Sequence, residues 1–528
     1  MRRAASGMLR YASMKDAKPM TVGQRLAALP PEALRHLRRG VEKESLRTLP
    51  DGGLAMTPHP AALGSALTHP HITTDFSESQ LELITGVHDT PEACIAELTH
   101  IHQVVYRHIG EEMLWCGSMP CKLPPEHEIP LGQYGSSNLG RMKTVYRMGL
   151  SYRYGRRMQT ISGIHYNFSV PDAVWDALDA KRDDGYFALI RNFRRHSWLL
   201  LYLFGASPAT CSTFVEGRAH KLEELRPRTM YLPYATSLRM GPLGYQSDAQ
   251  ALISASYNCM NTYASSLFNA LTRPYAPYEQ IGIREGDEYR QLNTTLLQIE
   301  NEFYGTIRPK RRIHRGERPL HALSERGVEY VEVRLMDLDP FEPVGINAGT
   351  MRFLDVFLLN CLLSDSPPDT PDENRAIGRN QHRVAAFGRE PGLQLDRFGA
   401  DVSLRDWGDA VLDGCAPVAA ALDAAHSGHA YRDALERARQ ALREPAMLSS
   451  SRVLDEIQRR ENGAYVHFIV AQSRRHRAML LDMPLPPLVE QEYQALTRSS
   501  LAEQRAMEEA DDLSFEEYRK AYLAQKLL

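Results

Sequence analysis

Several absences in this chain of 528 residues narrow its reading. No stretch approaches the roughly 18 consecutive apolar residues that a membrane helix needs. The longest apolar run, WLLLYLFGA from Trp198, reads instead as a buried helix. Neither a GxxxxGK[ST] loop nor a GxGxxG occurs, so neither the P-loop nor the Rossmann route to a nucleotide is indicated. Cysteine is scarce and scattered: the seven residues (Cys94, Cys116, Cys121, Cys211, Cys259, Cys361, Cys415) form no CxxC pair. That leaves no zinc signature and fits a reducing cytoplasm, the expected location. A strong charge of one sign is missing too: a net charge of −3 gives no basic field, so neither nucleic acid nor membrane is an expected partner. The opening MRRAASGMLRYASMK is basic but lacks a hydrophobic stretch, so it is no secretory signal. Residues 1–20 are expected to be a flexible extension.

What is present is ordinary in bulk and unusual in pattern. With 43% hydrophobic residues the chain can fill a large core. Residues 21–363 interleave short alternating segments with helical ones. The stretch SDSPPDTPDENRAIGRN (Ser364 to Asn380) is polar and proline-rich, which suggests a boundary or a surface loop. Residues 364–528, with YRDALERARQALREP, VLDEIQRREN and FEEYRKAYLAQKLL, read as mostly helical scaffold packed on the same unit.

The alternating segments share one design. In GVEKESLR (Gly40 to Arg47), a strand puts Glu42 and Glu44 on one face. ISGIHYNFSV sets Ser162, Ile164, Tyr166, Phe168 and Val170 opposite Gly163, His165, Asn167 and Ser169. QIENEFYG places Gln298, Glu300, Glu302 and Tyr304 together if it is extended. GVEYVEVRL buries Val331, Val333 and Leu335 and turns Tyr330, Glu332 and Arg334 the other way. TTDFSESQLELITG starts as a loop at Asp75, then brings Gln80 and Glu82 to one face.

Side by side, Glu42, Glu44, Glu82 and Glu332 repel one another unless cations sit among them. Oxygen ligands without thiolates select Mg²⁺ or Mn²⁺ over zinc, and Mg²⁺ commonly joins carboxylates to substrate phosphates. The basic run RPKRR, with Arg308 and Lys310, is placed to meet phosphate charge. A solvated sheet face with ordinary surface ion pairs is the competing reading, and an internal ion pair is the competing reading for Arg334.

Taken in order, GVEKESLR, TTDFSESQLELITG, YGSSNLGRMKTVYRMGLSYRYG, QTISGIHYNFS, QIENEFYGTIRPKR and VEYVEVRLMDLDPFEPVGI resemble glutamate–cysteine ligases of the proteobacterial type, from about Gly40 to Ile346. The resemblance implies an α+β fold: an antiparallel sheet forming a half-open funnel, akin to glutamine synthetase, with helices outside. It implies that ATP phosphorylates the side-chain carboxylate of L-glutamate and that the amine of L-cysteine attacks the acyl phosphate. By the same resemblance Glu42, Glu44, Asp75, Glu82 and Glu332 hold Mg²⁺, and Arg334 meets the transferring phosphate with Glu332 beside it. Arg308 and Lys310 face the nucleotide. Gln159 and Arg239 resemble residues that hold substrate carboxylates, although a surface loop position is the other reading of Arg239. Phe76, Tyr146, Arg147, Tyr245 and Tyr304 resemble the wall that receives cysteine. His165 stays open between metal ligand, hydrogen-bond donor to glutamate, and a satisfied polar-face residue. Cys121 matches a cysteine that some family members pair with one just after the HYNFS strand; VPDAVWDALDAKRDDG has none, so no such disulfide is expected. A monomer without a fused glutathione synthetase domain is expected.

Overall fold

The structure, a computed structural model, describes residues 20–244, 249, 252–253, 255–314, 316–460 and 463–528. Residues 1–19, and therefore nearly all of the expected extension, lie outside the described residues.

The organising element is a seven-stranded sheet. Its strands are β1 (Arg38–Thr48), β2 (Ile72–Thr74), β3 (Gln80–Ile84), β4 (Met113–Leu114), β5 (Gly163–Ser169), β6 (Ile307–Lys310) and β7 (Tyr330–Asp337). They lie in the order β6-β7-β5-β1-β3-β2, with β4 continuing the edge of β1, and every pairing is antiparallel. The sheet is open, which agrees with the expected funnel. Period-two alternation explains its two faces. Val41 on β1, Ile164, Tyr166 and Phe168 on β5, and Val331 and Val333 on β7 are buried in the main core.

Long helices pack around the sheet: α1 (Pro91–His108), α2 (Asn138–Tyr154), α3 (Arg182–Phe204) and α4 (Ala348–Leu363). Of these, α1 packs on β1 and α3 packs on β7 and α4. Trp198 to Leu203 lie buried inside α3, as the apolar run predicts. α2 belongs to the other face: Ser137 caps it by accepting from the Gly140 N–H, and it stops at Gly155, whose φ of 82° suits only glycine.

The proline-rich stretch is only partly a loop. Thr370 caps a helix, α5 (Pro371–Phe387), with Pro371 at its first position, where a missing N–H does no harm. Beyond it, α6 (Leu404–His426) and α7 (Ala430–Arg443) add their apolar faces to the core around α4. The helical expectation for residues 430–443, 449–459 and 515–523 is met.

Two expectations fail. QIENEFYG is not a strand: residues Glu300–Glu302 form a 3₁₀ turn. The acids there are committed to partners, Glu300 to Arg318 at 2.8 Å and Glu302 to Arg153 at 2.8 Å, all with side chains at least nine-tenths buried. Satisfying two buried carboxylates outweighs the alternating pattern. Cys121 also forms a disulfide, with Cys211, 90 residues on. The partner lies not in the segment directly after β5 but further on, at the end of the strand Ala209–Cys211, in a separate three-stranded sheet with Thr229–Tyr231 and Glu223–Arg226. Spacing along the chain could not show that the loop after β4 reaches that sheet.

Candidate active site

The polar face of the sheet gathers the acids in register. Glu44 lies opposite Glu82, Glu42 opposite His165, and Glu332 between Asn167 and Arg308 on its two neighbours. Carboxylate oxygens of Glu42 and Glu82 and a ring nitrogen of His165 lie within 4.8 Å of one another. His165 uses both nitrogens toward acids: Nδ1 is 3.1 Å from Glu42 Oε2 and Nε2 is 3.4 Å from Glu44 Oε1. Asn167 donates to Glu42 at 2.9 Å, and the Gly163 N–H donates to Glu44 at 2.7 Å.

The acids do not share one electrostatic fate. Burial, then the charges of Glu42, Asp75 and Glu44, pushes the Glu82 carboxyl well above its usual range. Burial and Asp75 raise Glu44. Burial also acts to raise Glu332, but Lys310, Arg334 and His165 outweigh it and hold that carboxyl well below the ordinary range. Lys310 Nζ lies 3.1 Å from Glu332 Oε1 and Arg334 Nη1 3.1 Å from Oε2. The cations therefore sit on the β6-β7 side, and the acids pushed up by burial and by their acidic neighbours are Glu44 and Glu82.

A backbone irregularity aims Arg334. Pairing of β7 with β5 shifts between Val333 and Met336, so Arg334 and Leu335 oppose the single residue His165. Such a bulge bends the strand and turns side chains. It brings Arg334 Nη1 to 3.3 Å from His165 Nδ1 and flips the alternation beyond, so that Asp337 pairs with Gly163 on the polar side.

Two cavities open on this face. One, of about 650 Å³, runs from Glu42 and Asn167 past Arg308, Lys310, Arg311 and Arg312 to an apolar wall of Tyr263, Leu320 and Leu323. The other, of about 120 Å³, is lined by Arg239, Tyr304, Thr306, Arg334, Gln381 and His382. Arg239 is no surface loop residue: it is 2% exposed and donates from Nη2 to the Arg334 carbonyl at 2.8 Å. Gln159 exchanges hydrogen bonds with the Tyr304 hydroxyl, 2.9 Å from its Nε2.

Phe76 packs with Leu131 and Leu150, with Tyr146 against them. Arg147 donates to the main-chain carbonyls of Asp75, Thr74 and Lys143, tying α2 to the loop that carries Asp75. Arg308 is likewise engaged with the carbonyls of Asn301 and Phe303 while lining the larger cavity. Tyr245 lies outside the described residues. Sequence reasoning missed Gln381 and His382, because they belong to an ordinary amphipathic helix in the supposed scaffold. It also missed Lys143, which is half-buried over the Tyr134 ring, one turn before Arg147, with its amine lowered to about 8 by burial and by Arg147.

Comparison with known proteins identifies the family and the fold. The family profile for glutamate–cysteine ligase matches residues 25–384. The chain is 48% identical to the glutamate–cysteine ligase of Alcanivorax borkumensis over 92% of its length and 95% of that protein's. It is 49% identical to that of Bordetella parapertussis over 92% and 94%. The crystal structure of glutamate–cysteine ligase from Francisella tularensis in complex with AMP superposes with a TM-score of 0.88 at 37% identity, over 92% of this chain and 97% of that one. A bifunctional glutathione synthetase from Pasteurella multocida matches with a TM-score of 0.70 at 25% identity, over 89% of this chain and 57% of that one. This chain belongs to the glutamate–cysteine ligase family.

Proposed function

We propose that the acid-lined face performs ATP-dependent ligation of L-glutamate, through its γ-carboxylate, to the amine of L-cysteine. The observation that carries this reading is the charge layout: Glu42, Glu44 and Glu82 lie together on the polar face, near Asp75, with Lys310 and Arg334 on the neighbouring strands β6 and β7. A carboxylate is a poor electrophile until one oxygen becomes a phosphate leaving group, and phosphoryl transfer is mainly a matter of positioning and charge.

The donor set fits a hard cation: carboxylate oxygens with one imidazole and no thiolate, two of the acids raised by burial and by neighbouring acids. Glu42, Glu44, Asp75, Glu82, Glu332 and His165 are the residues that would hold Mg²⁺ or Mn²⁺, which supplies charge neutralisation for the phosphates when bound. In the larger cavity the apolar wall suits a nucleobase, and Lys310 and Arg308 suit phosphate oxygens. Arg334 takes up the charge that moves with the γ-phosphoryl group. Arg239 and Gln159 hold the carboxylates of glutamate. Tyr146, Tyr304 and Phe76 with the Arg147-anchored loop wall off the acyl phosphate from water. Dependence on ATP keeps the expected cytoplasmic location in this reading, and a monomer suffices because every group named comes from one chain.

The test is ADP release with ATP, Mg²⁺ and glutamate, with and without cysteine, and mass spectrometry of the product. Formation of γ-glutamylcysteine is expected. Consumption of another amine with none of that product would overturn the assignment of cysteine.

A further inference from the structure

Strand β7 grips one arginine from two directions. Arg239 Nη2 donates to the carbonyl of Arg334 at 2.8 Å, while Nη1 lies 3.9 Å from Asp337 Oδ1, three residues further along the same strand. Asp337 is itself fixed from several sides. Its Oδ2 accepts from the Ala206 N–H at 2.9 Å and the Ser207 hydroxyl at 2.6 Å, and its Oδ1 accepts from the Ser237 hydroxyl at 3.0 Å. Ser207, Ser237, Arg239 and Asp337 are all buried. Ser237 stands two residues before Arg239, and its oxygen also accepts from the Met240 N–H at 3.3 Å, so the carboxylate anchors the arginine's own backbone as well as its charge. Opposite them, Gly163 leaves room for the guanidinium: a Cβ there would fall 2.1 Å from Nη2.

This constellation does more than satisfy a buried charge. Asp337 does not line the amino-acid pocket, whereas Arg239 does. A planar guanidinium recognises a carboxylate through a fork of fixed direction, so a small rotation loses one of its two bonds. We propose that Asp337, held by Ser207 and Ser237, is a positioning residue that sets Arg239 at the angle required to bind the carboxylate of glutamate. The inference rests on the reading of Arg239 given above.

The full-length enzyme tests it. Wild-type turnover with ATP, Mg²⁺, glutamate and cysteine is measured first; if glutamate is not a substrate, the proposed ligase function and this inference fall together. Given turnover, Ser237→Ala and Asp337→Asn should each raise the KM for glutamate about 10-fold or more, the loss of one charge-assisted contact. The KM for ATP should stay within about two-fold, a split that general loosening of the fold does not produce. Gly163→Ala should give the same signature from the other side. In an Arg239→Lys background, Ser237→Ala should add almost nothing, because both changes act on one contact. Asp337→Asn removes a buried carboxylate; if it does not fold, Ser237→Ala decides. An unchanged glutamate KM in folded Ser237→Ala, equal rises for glutamate and ATP, or full additivity with Arg239→Lys would overturn the proposal while leaving the ligase reading intact.

Discussion

Replacing Arg334 with alanine separates a structural role from a chemical one, because the two leave different marks. In the folded protein the guanidinium is paired with Glu332 at 3.1 Å, so the internal ion pair is real. Yet Glu332 also holds Lys310 at 3.1 Å and would not be abandoned. Losing one of two cations around a buried carboxylate should therefore cost about 1–3 kcal/mol rather than the larger penalty of a stranded charge. With an unfolding entropy near 2 cal/mol/K per residue, a chain of this length loses only about 1–3 °C of Tm. Removing an arginine that takes up phosphoryl charge should cost on the order of 10³-fold in kcat, about 4 kcal/mol of transition-state stabilisation. Glutamate and cysteine binding should change far less. Arg334→Lys keeps the charge without the fork and should be partly active. The assay is kcat normalised to folded enzyme, alongside thermal melting. A destabilised variant with kcat within about three-fold of wild type would refute the reasoning and leave Arg334 as an ion-pair partner only.

Glu82→Gln should raise the melting temperature in Mg²⁺-free buffer, by relieving repulsion from Glu42, Asp75 and Glu44, and should shrink the stabilisation that added Mg²⁺ gives; an undiminished Mg²⁺ shift would contradict the metal role. Burial lowers His59, His69 and His196 to about 4 each, below their unfolded value near 6.5. Their contribution is therefore present above pH 6.5 and lost as pH falls towards 4, at up to about 4 kcal/mol per pH unit for the three, so the urea midpoint should drop sharply between pH 7 and 5; a flat profile would refute it. Reducing the Cys121–Cys211 bond, which closes 90 residues, should lower stability by about 2–4 kcal/mol, and Cys211→Ser should remove any further effect of reductant on the melting temperature.

Alternation made much of the site legible in advance. Where the backbone is regular, as along β1 and β5, parity alone places Glu42, Glu44 and His165 on the face that the structure shows. Where it is not, parity misleads. The segment at Glu300 and Glu302 has the same spacing, but its buried acids pair with Arg318 and Arg153 in a tight turn. Arg239 was recognisable only by resemblance, because a loop residue's burial depends on what packs over it. Gln381 and His382 carry no local signal, since an amphipathic helix reads the same whether its end meets a pocket or a core.

The bulge at Arg334 connects these cases. Without it, Asp337 would point into the core with Val331, Val333 and Leu335, an isolated carboxylate in an apolar layer, which is severely unfavourable. One extra residue opposite His165 turns it to the polar side. There it meets Ser207, Ser237 and Arg239. The same extra residue carries Arg334 over His165 and the acids. A single irregularity thus carries Arg334 over His165 and sets Asp337 where it braces Arg239. Deleting Leu335 would restore regular pairing while leaving Met336 opposite Ile164 and Asp337 opposite Gly163, so it tests the aim of Arg334 alone: turnover should fall steeply while Asp337 keeps its partners. A folded deletion variant that keeps full turnover would show that Arg334 is aimed by something other than the bulge.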